Sequence, residues 1–252
     1  MVPSWTETLI ECGVDVVGRT RFCIHPEDKV ATIPVFGGTK AFRQDALIGL
    51  KADLILLDRE ENTLEMAEQA RAAGFQTFAT HIRSIDAIGG ELRRLSAALV
   101  EPRIDDVVNR WERIAKCAPS SGGPDWRQMP GVIEWLGSPP SDAGQPVVYV
   151  IWKDPWMAVA EGTFVASVLS KLGVDSRRLW PQGRGLYPKF SPEEVPKDAV
   201  MLLSTEPFPF AKKKAELDCF SNTKALVDGE GFSWFGVRSL EFLERALLLT
   251  QK

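Results

Sequence analysis

The sequence predicts an α/β protein of two lobes, each with a mostly parallel sheet flanked by helices, joined by one long backbone helix. Apolar strand-like runs alternate with amphipathic helical patterns in both halves, as in parallel βαβ units. Unusual polar and aromatic segments follow these runs, once in each half, and loops after parallel strands are where such sheets bind ligands. We therefore expect lobes at residues 1–100 and 147–252, a connecting helix at 101–118 and an irregular excursion at 119–146.

The first half contains four helix patterns and three strand patterns. Ser4 should open a helix over residues 6–12, with Glu7 completing a capping box, and a strand over 14–17 follows. The elements expected next are a helix over 42–49, strands over 54–57 and 75–79, and helices over 61–73 and 86–99. Pro102 then suits the first position of the connecting helix, which runs to about Lys116.

The second half repeats this alternation after a stretch rich in Pro, Gly and Ser, in which only residues 132–136 look ordered. Gly173 marks the end of the first helix of this half. The expected elements are strands over 147–151, 199–203 and 225–227, and helices over 163–172, 212–218 and 237–249.

Composition limits the classes of function. The 252 residues carry a net charge of -4 and no dense basic stripe, which argues against a nucleic-acid partner. No apolar run approaches the roughly 20 residues that span a bilayer. The start has no basic segment followed by an apolar one, so no signal peptide is expected, and Met1 with Val2 would make a very short first strand. A cytoplasmic chain and a clipped one both fit. The four scattered cysteines are expected to be reduced thiols.

Aromatic residues in the strand-end loops suggest a broad, flat, mostly apolar ligand. The alternative is that they belong to the lobe cores. Arg19 and Lys40 would suit anionic groups, and Asp154 and Glu206 are further polar anchors, unless they form loop salt bridges. The N-terminal amides of the helix opened by Ser4 would be able to hold an anionic group. The alternative is that Ser4 is an ordinary N-cap.

His25 and His81 are the only histidines, and both follow strand-like runs. An imidazole there would be able to ligate the metal of a macrocycle, although each is also explained by capping or packing. The sequence has neither a GxSxG elbow nor an HExxH motif, and residues 37–40 lack the full phosphate-loop spacing. No enzyme is therefore expected.

The chain resembles the helical-backbone (TroA-like) periplasmic binding proteins, in particular the cobalamin-binding-protein-like branch of the cobalamin and iron-siderophore receptors. The resemblance rests on PSWTETL, VVGRTRFCIHP, GGTK, DREEN, IWKDPWM, STEPFPF and DGEGFSWFG, and spans nearly the whole chain except residues 119–146. With the loop residues above, it implies ligand contacts from Ser4, Trp5, Arg19, Phe22, His25, Lys40, Glu61, Asn62, Trp152, Asp154, Trp156, Tyr187, Glu206, Phe208 and Trp234, with His25 or His81 as axial metal ligands.

The resemblance also implies a non-catalytic, monomeric substrate-binding component of an ABC importer that needs no cofactor. Its ligand would be a corrinoid first and haem second, held between the lobes, and its partner a transporter permease. A siderophore or metal-chelate receptor is the second hypothesis, and a cytosolic enzyme or metal-handling protein that reuses the fold is the third. The family is periplasmic, whereas the missing signal leaves a cytoplasmic location open.

Overall fold

The structure is a computed structural model that describes residues 2–43, 49–120 and 122–249. The chain divides into two compact units. The first unit comprises Met1–Ala115 with Trp234–Leu240, and the second comprises Lys116–Ser233 with Glu241–Lys252. Each unit has its own sheet, with helices in the same unit, so the predicted α/β class with two lobes is confirmed.

The first unit is built around a two-stranded parallel sheet. Strand β1 pairs with β2 in register, from Leu54 opposite Gln76 to Asp58 opposite Thr80. Both strands therefore end in a polar side chain at the same edge of the sheet. The elements are α1 (Pro3–Glu11), α2 (Glu27–Val30), β1 (Leu54–Asp58), α3 (Leu64–Ala72), β2 (Gln76–Thr80), α4 (Ile85–Leu99) and α5 (Ile104–Lys116).

Helix α5 is the segment expected to connect the lobes. It buries one apolar stripe along its length and begins with Asp105 and Asp106, whose charges favour a helix N-terminus. Its last residue, Lys116, is also the first residue of the second unit. The connecting role itself remains a prediction.

The second unit contains a five-stranded sheet in the order β3-β7-β6-β4-β5. The central strands β7, β6 and β4 are parallel, and the edge strands β3 and β5 are antiparallel to their neighbours. The strands are β3 (Val132–Leu136), β4 (Val147–Trp152), β5 (Met157–Val159), β6 (Val200–Ser204) and β7 (Thr223–Val227). The helices are α6 (Phe164–Lys171), α7 (Gly229–Ser233) and α8 (Val237–Leu249), the last divided between the units.

Local signals explain the bounds of two helices. Thr63 caps α3 by accepting a hydrogen bond from the amide of Met66 at 3.3 Å. Thr163 caps α6 in the same way, accepting from the amide of Ala166 at 3.2 Å. In each case a threonine hydroxyl satisfies an amide that has no partner within the helix.

Three predicted elements differ from the structure, and a fourth cannot be compared with it. Helix α1 begins at Pro3, so Ser4 lies inside it and the N-cap Val2 makes no side-chain capping bond. Residues 14–17 belong to no strand in the described part of the chain. The helix expected over 212–218 is two 3₁₀ turns separated by Lys213, whose φ of -129° is not helical. The helix expected over 42–49 falls mostly on residues 44–48, outside the described residues.

The described helices include none that is both long enough and apolar enough to cross a membrane.

Candidate functional site

The ends of β1 and β2 carry a buried polar network. The Thr80 hydroxyl donates a hydrogen bond to Oδ2 of Asp58 at 2.6 Å and accepts one from Nε1 of Trp5 at 2.8 Å. The amide of Glu60 donates to Oδ1 of Asp58 at 3.0 Å. Burial raises the pKa of Asp58, and these hydrogen bonds oppose the rise. The network fixes the loops that leave both strands.

Asn62 ties the loop after β1 to the Gly-Gly-Thr-Lys segment. Its Oδ1 accepts from the amide of Asp58 at 2.9 Å, and its Nδ2 donates to the carbonyl of Thr39 at 2.8 Å. Lys40 then donates to the carbonyl of Glu60 at 3.3 Å. Burial raises the pKa of Glu61, and the nearby Lys40 ammonium opposes this. The structure thus brings Lys40, Glu61 and Asn62 together, and their contact with a ligand remains a prediction.

His81 lies beside Glu60 on the loops that follow the two strands. Nε2 of His81 is 3.0 Å from Oε1 of Glu60, and the two side chains are 40% and 20% exposed. Within the described residues, no group of three or more His, Cys, Asp and Glu side chains has the arrangement of a metal site. Metal ligation by His81 remains a prediction.

Arg19 braces the loop that follows it. Its Nε donates to the carbonyls of Val30 at 2.8 Å and Ile33 at 3.1 Å, and Nη1 donates to that of Cys23 at 3.1 Å. Cys23 is fully buried, and its sulfur accepts from the hydroxyl of Thr6 at 3.1 Å. The Arg19 guanidinium is therefore engaged in holding the loop, whereas the sequence suggested an anchor for anionic ligand groups.

Side chains that pack on one another join the loop after Arg19 to the segment Trp234–Leu240. This segment belongs to the first unit. The rings of His25 and Trp234 meet edge to face, with centroids 5.6 Å apart. Arg238 lies 5.6 Å from the centre of the Trp234 ring and forks onto Glu7 with hydrogen bonds of 2.9 and 2.5 Å. Phe22, in the same loop as His25, is 45% exposed. An imidazole and an indole are thereby held in fixed positions.

Aromatic side chains also lie at the ends of strands in the second unit. Trp152, the last residue of β4, is 39% exposed and packs edge to face on Phe208 at 5.7 Å. Phe208 in turn contacts the buried Phe210 at 4.6 Å. Tyr187 is 40% exposed, and the Asp154 side chain is 82% exposed. Trp152 therefore presents an indole surface that the core supports from behind.

Acidic residues follow β6 and β7. Glu206 is half-buried; burial and the Glu230 carboxylate raise its pKa, and Lys212 opposes them. Asp228, directly after β7, accepts a hydrogen bond from the amide of Gly231 at 3.1 Å and so caps the short helix α7. Of this pair, Glu206 suits contact with a ligand, and Asp228 has a structural partner.

Comparison with known proteins gives matches among solved structures. No family model matches the chain, and no curated protein matches it in sequence. The vitamin B12-binding protein BtuF of Vibrio cholerae is 17% identical, with a TM-score of 0.65 over 100% of this chain and 96% of that one. The haem-binding RhuT from Roseiflexus sp. RS-1 is 17% identical, with a TM-score of 0.67 and 99% and 95% covered. A periplasmic haem-binding protein from Pseudomonas aeruginosa is 17% identical, with a TM-score of 0.69 and 98% and 90% covered.

The chain has the fold of a periplasmic substrate-binding protein. The resemblance inferred from the loop motifs is confirmed at the level of the fold, over nearly the full length of both chains. At 17% identity the match says nothing about which side chains contact a ligand.

Within this periplasmic-binding-protein fold, three predicted contact residues prove to be interior ones. Trp5 is fully buried on the inner side of α1, and Ser4 is 6% exposed. Trp156 is 8% exposed and stacks on Phe210, with ring planes 4° apart and centroids 6.0 Å apart. It leads into β5, which pairs with β4, and at this position its ring packs into the core cluster of the second unit. Ser4, Trp5 and Trp156 are thus packed inside their own units, and their ligand contacts remain predictions.

Sequence reasoning also missed three residues that organise the site. Asp58 and Thr80 each end an apolar strand-like run, which was the available signal for a polar pair at one sheet edge. Arg238 gave no such signal, because its partner Glu7 is 231 positions away in sequence.

Proposed function

We propose that the protein is a non-catalytic, monomeric binding protein of the ABC-importer type, whose ligand is a metal tetrapyrrole, with a corrinoid as the first candidate. It would deliver its ligand to a transporter permease from outside the cytoplasm. The observation that carries this proposal is a set of supported aromatic rings in each unit: the exposed Trp152 at the end of β4, and the partly buried His25 and Trp234 in the first unit. The fold supports it, since proteins of that fold are named for binding vitamin B12 and haem.

The aromatic rings suit a large flat ligand because they are held before it arrives. Trp152 is braced by Phe208, and Trp234 packs against both His25 and Arg238. Side chains fixed in this way lose little conformational freedom on binding, so more of the contact energy appears as affinity.

The polar residues favour a ligand rich in carboxamides. Glu61 and Glu206 have raised pKa values, so their carboxyl groups keep a proton to higher pH than exposed glutamates do. A protonated carboxyl donates a hydrogen bond to an amide oxygen, and a carboxylate accepts one from an amide nitrogen. Arg19, which would suit the carboxylates of haem or of a siderophore, is engaged with loop carbonyls.

Haem is the second candidate, and the placement of His25 favours it. The imidazole lies against the Trp234 ring, so a metal-bearing ring stacked on the indole would come near it. Two of the three similar structures described above are of haem-binding proteins.

Titration with cyanocobalamin, dicyanocobinamide and haemin tests the proposal. At about 50 μM protein, calorimetry should give clear heats with a corrinoid, because an affinity of about -8 to -12 kcal/mol lies in the micromolar-to-nanomolar range. Tryptophan fluorescence should fall on binding, and chromatography should recover the ligand unchanged. Saturable binding of haemin alone would move the assignment to haem. A chemically altered ligand, or silence with all three compounds, would refute the proposed function.

Two tryptophan variants test whether the ligand contacts Trp152 and Trp234. Trp152→Ala and Trp234→Ala should each weaken binding by about 10- to 30-fold, the usual effect of removing a central aromatic contact. Trp180→Ala is the matched control in the second unit, because Trp180 bonds to Val147 at the opposite end of β4. Equal weakening by all three variants would show that the strand-end loops do not hold the ligand.

A further inference from the structure

The turn between β4 and β5 contains a lysine to which the proposed ligand site assigns no role. Trp152 ends β4 and pairs with Met157, the first residue of β5, so residues 153–156 form the turn. In the described part of the chain, residues 153–155 make no backbone–backbone hydrogen bond. Any contact that fixes the middle of this turn must therefore come from side chains.

Lys153 reaches from the turn to the core of the second unit. Its side chain is 20% exposed, and its ammonium donates a hydrogen bond to Oε2 of Glu216. The ammonium also lies 6.0 Å from the centre of the Trp156 ring, which belongs to the core. Glu216 is followed by the buried Leu217 on the same 3₁₀ turn. Hydrogen bonding within the pair raises the pKa of Lys153 and lowers that of Glu216, so both groups are charged at neutral pH.

Asp154 follows Lys153 in the turn. Its φ is +63°, in the left-handed region that residues with a side chain seldom adopt, although Asp does so more readily than most. Backbone of this kind persists where its surroundings hold it. The Asp154 carboxylate is largely exposed, and its Oδ2 lies 3.5 Å from the Lys153 ammonium. An exposed acid is thus held by a lysine that is itself anchored on the core.

We propose that Lys153 is a positioning residue that holds the Asp154 carboxylate as the acceptor for a carboxamide N–H of the ligand. This inference rests on the proposed function. An anchored carboxylate loses less conformational freedom on binding than one on a loose turn. The same fixed charge accepts a hydrogen bond from an N–H group and repels a carboxylate, so it favours a corrinoid amide over the carboxylates of haem.

The order of the turn tests this proposal in the protein without ligand. Lys153→Met removes the ammonium and keeps most of the aliphatic stem. The ¹⁵N order parameter of the Asp154 amide should fall from about 0.85, the value of rigid backbone, to below about 0.6. Glu216→Ala removes the anchor from the other side and should have the same effect. The indole N–H of Trp152 should not change, because Phe208 braces that ring.

Lys214→Met is the matched control, because Lys214 lies on the same 3₁₀ turn as Glu216 and pairs with Glu134 at 2.6 Å. Both side chains of this control pair are exposed, and the Asp154 order parameter should stay at its wild-type value. An unchanged order parameter in Lys153→Met and Glu216→Ala would overturn the proposal. So would an equal fall in Lys214→Met.

Binding of cyanocobalamin and dicyanocobinamide decides whether Lys153 acts through Asp154. Asp154→Gly removes the carboxylate without strain at a left-handed φ and should weaken binding by about tenfold, and Lys153→Met by about fivefold. Added to Asp154→Gly, Lys153→Met should weaken binding by less than about twofold, and Lys153→Arg alone should bind like wild type. Equal weakening by Lys153→Met with and without Asp154 would show that Lys153 contacts the ligand itself, which overturns the positioning role.

The two measurements separate this inference from the proposed function. Silence of the wild-type protein with both corrinoids and with haemin would refute the proposed function. The order parameter is measured without ligand, so it decides in either case whether Lys153 fixes Asp154.

Discussion

Replacing Thr80 by valine should destabilise the protein by about 2.5–6 kcal/mol, although the two side chains have nearly the same shape. The hydroxyl of Thr80 is the acceptor for the Trp5 indole and a donor to Asp58, and all three residues are fully buried. Leaving the indole N–H without a partner costs about 1–3 kcal/mol, and losing a hydrogen bond to a carboxylate costs about 1.5–3 kcal/mol. The sum of these losses gives the expected range.

The difference in free energy of unfolding between wild type and Thr80→Val should grow as pH rises. Burial raises the folded-state pKa of Asp58 above its unfolded value, so Asp58 contributes stability at low pH that is lost as pH rises through the folded pKa. The Thr80 hydroxyl lowers the pKa of Asp58, so its removal raises that pKa further. Stability is then lost up to a higher pH, and the ionised carboxylate destabilises the folded protein more. The difference between wild type and Thr80→Val should therefore be smallest where Asp58 is protonated in both proteins.

Urea unfolding followed by tryptophan fluorescence at several pH values measures both effects. Thr77→Val is the matched control in the same strand, because its hydroxyl accepts only an exposed hydrogen bond from Arg71 at 2.9 Å. It should cost less than about 0.5 kcal/mol. The argument from the buried network fails if the free energies of unfolding of Thr80→Val and Thr77→Val differ by less than about 0.5 kcal/mol. It also fails if the destabilisation by Thr80→Val becomes smaller as pH rises.

Four other substitutions have expected costs. Trp156→Ala should lower the free energy of unfolding by about 3–5 kcal/mol, whereas Trp152→Ala should lower it by less than about 1 kcal/mol, because only Trp156 is a core residue. Arg238→Ala should cost about 3 kcal/mol, since it leaves the nearly buried Glu7 carboxylate without its forked partner. Thr163→Ala should cost about 1–2 kcal/mol through loss of the cap on α6. Each cost is measured by urea unfolding.

Controls for these substitutions come from the same chain. Arg245→Ala removes an exposed pair with Glu241 at 3.7 Å and should cost less than about 0.5 kcal/mol. Equal losses in free energy of unfolding for Arg238→Ala and Arg245→Ala would contradict the importance of the ion pair between Arg238 and Glu7. A Trp152→Ala cost equal to that of Trp156→Ala would contradict the assignment of Trp156 to the core. A cost for Thr163→Ala below 0.3 kcal/mol would show that the cap contributes little.

Much of the fold could be predicted because the signals are local. The apolar runs at β1, β4 and β6 and the final helix α8 are set by patterns within a few residues, and the structure has these elements. Residues 14–17 have an equally good strand pattern and form no strand, because a strand also needs a partner, which the local pattern cannot specify.

The site was harder to predict, because exposure depends on packing. Trp152 and Trp156 flank the same Asp-Pro pair, and the sequence gives no reason to separate them. The structure separates them because Trp156 packs against Phe210 and Phe220, which are more than 50 positions later in the chain. Arg19 likewise was chosen for its charge, while its hydrogen bonds depend on how the loop to Ile33 is folded.

The segment Trp234–Leu240 has a consequence for how the protein is made. It belongs to the first unit although the second unit surrounds it in sequence. Phe235 packs on Trp5 at 5.2 Å, and the amide of Val237 donates to the hydroxyl of Thr8 at 3.1 Å. During synthesis from the amino terminus, α1 is therefore not covered until residues 234–240 have been made. A nascent chain stalled before Trp234 should leave α1 open to proteases and to chaperones that bind apolar surface.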